Sequence, residues 1–205
     1  MDKIPDFGAG KTPIRPGRAG AEHLERYRTL FQYATMNEIA ISVAGSPEDL
    51  DQVRLLIRQF VAWHLERHQQ DRHLINAYFD QAAFEAELAG LPGKYKEPGG
   101  ALLLAKLAGE AAGCVAFRSL DSTTAEMKRM FVYERFQGRG VGKALALAIV
   151  ETARRAGFKT MRLDTSFRQV EALSLYERIG FERMGPYYEL PEAMKEWLVF
   201  MEKKL

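Results

Sequence analysis

Thiol chemistry is almost absent: Cys114 is the one cysteine in 205 residues. It can close no internal disulfide and build no Cys-rich zinc site, which points to a reducing compartment. Long apolar runs are missing too. No segment approaches the roughly 20 residues of a membrane span, and the first residues lack the apolar stretch of a signal peptide. A cytoplasmic protein with no membrane contact is the expectation. Nor is there a charge excess, since formal net charge is +2. Nothing in that total signals a surface that neutralises many phosphates. The Arg-rich stretches around 139–168 are interspersed with acidic residues, so no nucleic acid is expected. What remains, 47% hydrophobic and 27% charged, is the composition of an ordinary globular domain.

Residues 1–20 carry Pro5, Pro13 and Pro16 among four glycines, which interrupts regular structure. Leu24, Tyr27, Phe31 and Ala34 then recur at helical spacing, predicting an amphipathic helix over 21–34. Residues 1–37 therefore read as an extension whose helix docks on its own domain or on a partner, a second copy of the chain included. The second unit, 38–205, alternates strands and helices. A strand over 38–43 leads into Ser46-Pro47-Glu48-Asp49, a cap, a first-turn proline and acidic residues at a helix N-terminus. The helix is predicted over 47–67 and a second over 75–88, ending at Gly90. Strands at 101–107 and 111–118 form a hairpin, followed by a strand at 124–132, a helix at 143–156 closed by Gly157, and a strand at 159–164. A helix at 169–179 closed by Gly180 and strands near 181–187 and 197–203 complete a mixed α/β order.

The segment between the 124–132 strand and the following helix is Gln137-Gly138-Arg139-Gly140-Val141-Gly142-Lys143. Glycines admit a ligand close to the backbone, and a helix's first turn presents unpaired N–H groups with a positive dipole end, so a phosphate fits there. The dinucleotide pattern G-x-G-x-x-G fails, because Lys143 or Leu145 falls at its third glycine. The triphosphate loop G-x-x-x-x-G-K-[ST] fails as well, with Gln137 at its first glycine and Ala144 at its hydroxyl position.

Gln137 to Gly142 does match the Gln/Arg-x-x-Gly-x-Gly/Ala signature of the GNAT acetyltransferases. Further on, Ala172-Leu173-Ser174-Leu175-Tyr176-Glu177-Arg178-Ile179-Gly180-Phe181 resembles that family's A-x-x-L-Y-x-x-x-G-F segment. The resemblance implies the GNAT fold, an α/β (mixed α+β) domain with a bent, mostly antiparallel central sheet flanked by helices. It also implies acetyl-CoA as cosubstrate and direct acetyl transfer to an amine, on a small molecule or on a protein. Backbone N–H groups from Gln137, Gly138, Arg139, Gly140, Val141 and Gly142 would hold the pyrophosphate, with Arg139 and Lys143 as nearby cations. Met130, Phe131 and Val132 would offer backbone partners to the pantetheine arm. Gln169 stands where many members carry Asn, which puts one cofactor-side hydrogen bond in doubt.

An acceptor ammonium, with a pKa near ~10.4, must lose a proton before it attacks a thioester. Glu126 resembles the glutamate base of histone-type members and, by strand alternation, shares a face with Lys128, Met130 and Val132. It serves equally as a salt-bridge partner to a neighbouring strand. Tyr176 matches the family tyrosine that protonates or hydrogen-bonds the departing thiolate. Its bland alternative is a packed core tyrosine with a satisfied hydroxyl.

Weaker features complete the reading. His64 and His68, with His73 nearby, lack the zincin glutamate and read as solvated helix-face histidines, so no metal is expected. Tyr187 and Tyr188 either pack at a turn, the favoured reading, or line an acceptor pocket with Lys94 and Tyr95. A non-catalytic acyl-CoA sensor or interaction module is the rival function.

Overall fold

The computed structural model describes residues 38–205, so the predicted tail and the 21–34 helix lie outside the described residues. Seven strands form one sheet in the order β1-β2-β3-β4-β5-β7-β6: β1 (Ile39–Val43), β2 (Gly100–Leu107), β3 (Glu110–Ser119), β4 (Thr124–Val132), β5 (Thr160–Ser166), β6 (Glu182–Met184) and β7 (Leu198–Lys204). Every neighbouring pair is antiparallel except β4 with β5. Among the described residues six α-helices flank the sheet: α1 (Pro47–Arg67), α2 (Arg72–Tyr78), α3 (Gln81–Ala89), α4 (Val141–Arg155), α5 (Val170–Arg178) and α6 (Glu192–Trp197).

Local chemistry explains most boundaries. Ser46 Oγ accepts the Asp49 N–H at 3.1 Å with Pro47 in the first turn, which starts α1 where the sequence places it. The β2–β3 turn has φ of 53° at Ala108 and 83° at Gly109, the doubly positive geometry of a type I′ hairpin. The predicted 75–88 helix is instead two, because Phe79 leaves helical geometry and Asp80 caps α3 by accepting the Ala83 N–H. The 181–187 strand shrinks to three residues before Gly185-Pro186, since proline lacks a ladder donor. A helix absent from the sequence reading, α6, runs directly into β7.

Alternation divides the sheet into two faces. Ala125, Met127, Val115 and Phe117 pack with Leu145, Ile149 and Ala153 of α4 and with Leu173 and Tyr176 of α5. Cys114, Ala116, Leu102 and Leu104 pack with Val53, Leu56 and Ile57 of α1. Each fully buried Leu or Ile there contributes about 1.5–3 kcal/mol. Burial pushes the Cys114 thiol up to about 12, so it is an inert packing group. Among the described residues no helix is long and apolar enough to cross a membrane.

Two irregularities in β4 open the sheet and decide which side chains share a face. Opposite β3, Cys114 pairs Phe131 while Ala116 pairs Lys128, so β4 carries one extra residue. Arg129 absorbs it at φ 57°, a β-bulge at a non-glycine position. The bulge reverses the alternation. Glu126 and Lys128 face the α1 side, whereas Val132 and Met130 belong to the opposite face with α4. The expectation that all four share one face is thereby corrected. Second, the β4–β5 ladder spans only Thr124–Glu126 against Thr160–Arg162. Both strands continue beyond it unpaired with each other, leaving a gap at the centre of the sheet.

Candidate active site

The glycine loop forms one wall of this gap. Gly138 and Gly140 adopt φ of 72° and 85°, where a side chain is strained. Gly140 occupies the N-cap of α4 with no side-chain cap, so the first-turn N–H groups have no side-chain acceptor. The Gln137 amide donates to the Val132 carbonyl at 3.1 Å, tying the loop to the end of β4. A cleft of about 340 Å³ runs from Gly138, Gly140, Gly142 and Lys143 to Met130, Gln169 and Tyr176. Arg139 is outside that lining and stacks over Phe136, 5.8 Å from its ring centroid. Val141 is buried beneath the loop. Phe131 is buried as well, so what it and Val132 offer the cleft is their backbone edge.

Beyond Tyr176 the cleft meets a narrow space of about 50 Å³ that crosses the sheet between β4 and β5. Met127, Leu163 and Tyr176 wall it on one face; Tyr78, Lys128, Asp164 and Trp197 wall it on the other. Tyr176 is 5% exposed, and burial raises its phenol well above the ordinary value, so it stays protonated. Gln169 lines both spaces.

On the α1 face the space adjoins a polar cluster. Glu126, 1% exposed, accepts from Arg118 Nε at 2.6 Å and from the Tyr187 hydroxyl at 2.8 Å. Asp164 accepts from Tyr78 at 2.5 Å, Lys128 at 2.9 Å and Tyr187 at 3.2 Å. Lys128 Nζ also lies 3.6 Å from Glu126. Two cations thus meet two carboxylates, and the group is neutral overall. Burial disfavours the Lys128 ammonium, but Tyr78, Asp164 and Glu126 outweigh it and raise its pKa well above the usual lysine range. Burial also works against the Asp164 carboxylate, yet Lys128 and the two phenols hold it below the usual range. Tyr78 is pushed up to about 12, mainly by burial.

The cluster floors an open cavity of about 490 Å³ that Arg118, Arg162, Tyr187 and Tyr188 also line. This revises the turn-packing reading of Tyr187. Its ring does pack edge-on against Phe200, 5.3 Å between centroids, but its hydroxyl bridges the two buried carboxylates. Lys94 and Tyr95 are elsewhere, bonding Glu87 at 2.6 and 2.9 Å. Sequence reasoning missed Tyr78, Asp164 and Arg162. The available signal was a charged pair, Arg162 and Asp164, two apart in a strand whose other residues are mostly buried.

His64 and His68 are buried rather than solvated, with His64 Nδ1 and His68 Nε2 unpartnered. His73 is exposed. Among the described residues no three His, Cys, Asp or Glu side chains converge as a metal set. Burial lowers the His64 pKa from 6.5 to about 4. The unfolded chain therefore binds an extra proton between those values, and stability present above pH 6.5 is lost as pH falls toward 4. Urea unfolding at pH 7 and pH 4.5 is expected to show about 2–3 kcal/mol less loss in His64→Leu than in the parent protein. An identical loss in both would contradict a neutral buried His64.

Known proteins resemble this chain in sequence and fold. The profile of the Acetyltransferase (GNAT) family matches residues 56–181. An uncharacterised N-acetyltransferase of Schizosaccharomyces pombe is 31% identical over 157 residues, covering 76% of this chain and 90% of that protein. Human N-acetylaspartate synthetase is 36% identical over 129 residues, 61% of this chain but 42% of its own. The chain thus spans less than half the length of that relative. Among solved structures, the PaiA N-acetyltransferase of Thermoplasma acidophilum in complex with coenzyme A shares the fold, with a TM-score of 0.61 at 18% identity over 82% of this chain and 99% of that one. An acetyltransferase of Streptococcus agalactiae superimposes at 0.62, with 21% identity over 82% and 98%. The profile match spans both the glycine loop and the Tyr176 segment and covers more than half of the chain, which belongs to the GNAT family of acetyltransferases.

Proposed function

We propose that the chain transfers an acetyl group from acetyl-CoA directly to an amine. The observation that carries this reading is the gap between β4 and β5, which joins a glycine-loop cleft on one side to a polar cavity on the other. The uncapped N-terminus of α4 and the left-handed glycines suit a pyrophosphate, and the unpaired edge of β4 at Met130–Val132 suits the pantetheine amides. Bound acetyl-CoA supplies the thioester carbonyl. The narrow crossing, about 50 Å³, favours a short acyl group.

On the acceptor side, Glu126 takes the proton that the amine gives up, directly or through water. Lys128 is held as an ammonium and Asp164 already accepts from three donors, so neither competes for that proton. On the cofactor side, Tyr176 stays protonated and offers a hydrogen bond or a proton to the departing sulfur.

Calorimetric titration with acetyl-CoA, with NADH and ATP as matched controls, tests the first half of the proposal. Saturable micromolar binding of acetyl-CoA alone is expected. Preference for either control, or no binding, overturns it. Release of CoA thiol on adding amines then separates a transferase from a protein that binds acetyl-CoA without turning it over.

A further inference from the structure

Hydrogen bonding in the 490 Å³ cavity is unevenly satisfied, and the imbalance identifies a ligand class. Arg118, Glu126, Arg162 and Glu202 are consecutive cross-strand neighbours on β3, β4, β5 and β7, forming one row across the sheet. Arg118 engages Glu126 through Nε alone, at 2.6 Å, and Arg162 engages Glu202 through Nε alone, at 2.8 Å. The terminal nitrogens of both guanidiniums hold no side-chain partner among the described residues. Both side chains line the cavity, 38% and 30% exposed. The Arg162 guanidinium is steadied 5.5 Å above the Tyr187 ring.

The carboxylates nearby are committed. Glu126 and Asp164 take four donors between them, the Tyr187 hydroxyl reaching both, Glu202 also takes Lys204 at 3.1 Å, and Asp121 on the rim accepts three donors from its own turn. The other cations are spent: Arg129 gives Nε and Nη2 to Glu87, and Lys128 is shared between Tyr78 and Asp164. What the cavity still offers a ligand is two guanidinium forks, one on each side of Glu126, and almost no acceptor for a second cation.

Resting on the transferase reading, we infer that the acceptor is a free dicarboxylic amino acid whose two carboxylates are held, one each, by Arg118 and Arg162 while its amine meets Glu126. Guanidinium forks match carboxylates in two parallel hydrogen bonds, a geometry that an amide or a second ammonium does not supply. Strands lie about 4.8 Å apart, so two arginines separated by one strand stand roughly 10 Å apart at the backbone. That separation lets each take a different carboxylate, which favours a dicarboxylic amino acid. Arg162 does not touch Glu126 and is a positioning residue whose loss leaves the proton acceptor in place.

The test compares CoA release with aspartate and glutamate against asparagine, glutamine and spermidine, in the parent protein and in Arg162→Gln. The acids are expected to exceed the amides and the polyamine in kcat/KM by about 10- to 100-fold, the worth of one or two charge-assisted hydrogen bonds. Arg162→Gln is expected to raise KM for the acids by a similar factor, with acetyl-CoA affinity and Tm unchanged, and Arg162→Lys to recover part of it. Equal turnover of spermidine or the amides, or an unaltered KM in Arg162→Gln, overturns the inference. Should acetyl-CoA bind and no amine turn over, titrating aspartate and glutamate into the CoA-loaded protein decides: binding weakened by Arg162→Gln supports the carboxylate site, and no binding removes it. Absence of acetyl-CoA binding is a different result and strikes the transferase reading itself.

Discussion

Replacing Glu126 by glutamine is expected to lower kcat by about 10²–10⁴-fold, the range that a positioned proton acceptor contributes, while acetyl-CoA binding is unchanged. Glutamine has nearly the same volume and still accepts a hydrogen bond from Tyr187. Arg118, 38% exposed, recovers water in place of its lost partner, so Tm should move little. The substitution therefore removes the proton acceptor without emptying the site. Tyr187 gives no alternative base, because burial and the two carboxylates raise its phenol far above the ordinary value. A carboxylate does not deprotonate a free ammonium efficiently, yet an amine bonded to the thioester carbon is far more acidic, and a carboxylate suffices at that stage. Single-turnover rates with saturating acetyl-CoA and amine measure the effect. A rate within about threefold of the parent would leave Glu126 as a bridge between β3 and β4 and send the search for the base elsewhere.

The two halves of the proposed site were unequally legible in the sequence, for a physical reason. In the proposed scheme the loop from Gln137 to Gly142 acts mainly through consecutive backbone groups, so that role is written in contiguous residues, and its helix is set by an apolar face at Leu145, Ile149 and Ala153. Tyr176 was legible by its place in a second short segment. The acceptor cavity, by contrast, draws Tyr78 from α2, Arg118 from β3, Glu126 and Lys128 from β4, Arg162 from β5 and Tyr187 from a loop. No local period connects them. Their meeting depends on the β4–β5 register, which pairs Glu126 with Arg162. The bulge at Arg129 was equally hidden, because an arginine at positive φ carries no compositional mark of the kind glycine gives. That one residue separates Met130 and Val132 from the face of Glu126, and strict alternation could not foresee it.

Lys128→Met is expected to destabilise the protein by about 3–5 kcal/mol at pH 7, because it leaves buried carboxylates without their cation. Asp164 is 0% exposed at its side chain and depends on the Lys128 ammonium at 2.9 Å; Glu126 loses a cation 3.6 Å away but keeps Arg118. Methionine fills a similar volume, so the cost is electrostatic rather than a cavity. The pH dependence distinguishes the two. In the parent protein Asp164 is held below the usual carboxylate range, so its stabilising contribution is present above the unfolded pKa near 3.8 and is lost as pH falls through the lower folded value. In the variant, burial without the cation raises the folded value above 3.8, and the carboxyl takes up a proton on folding. The difference between the two proteins should then shrink steadily from pH 7 toward pH 4, since a neutral carboxyl needs no cation. Adding Asp164→Asn to Lys128→Met should recover much of the loss at pH 7, giving a coupling energy between the sites of about 0.5–3 kcal/mol. Urea unfolding across that pH range reads both effects. A penalty independent of pH, with no recovery in the double variant, would mean that Lys128 acts by packing rather than as the cation holding Asp164 ionised beneath the acceptor cavity.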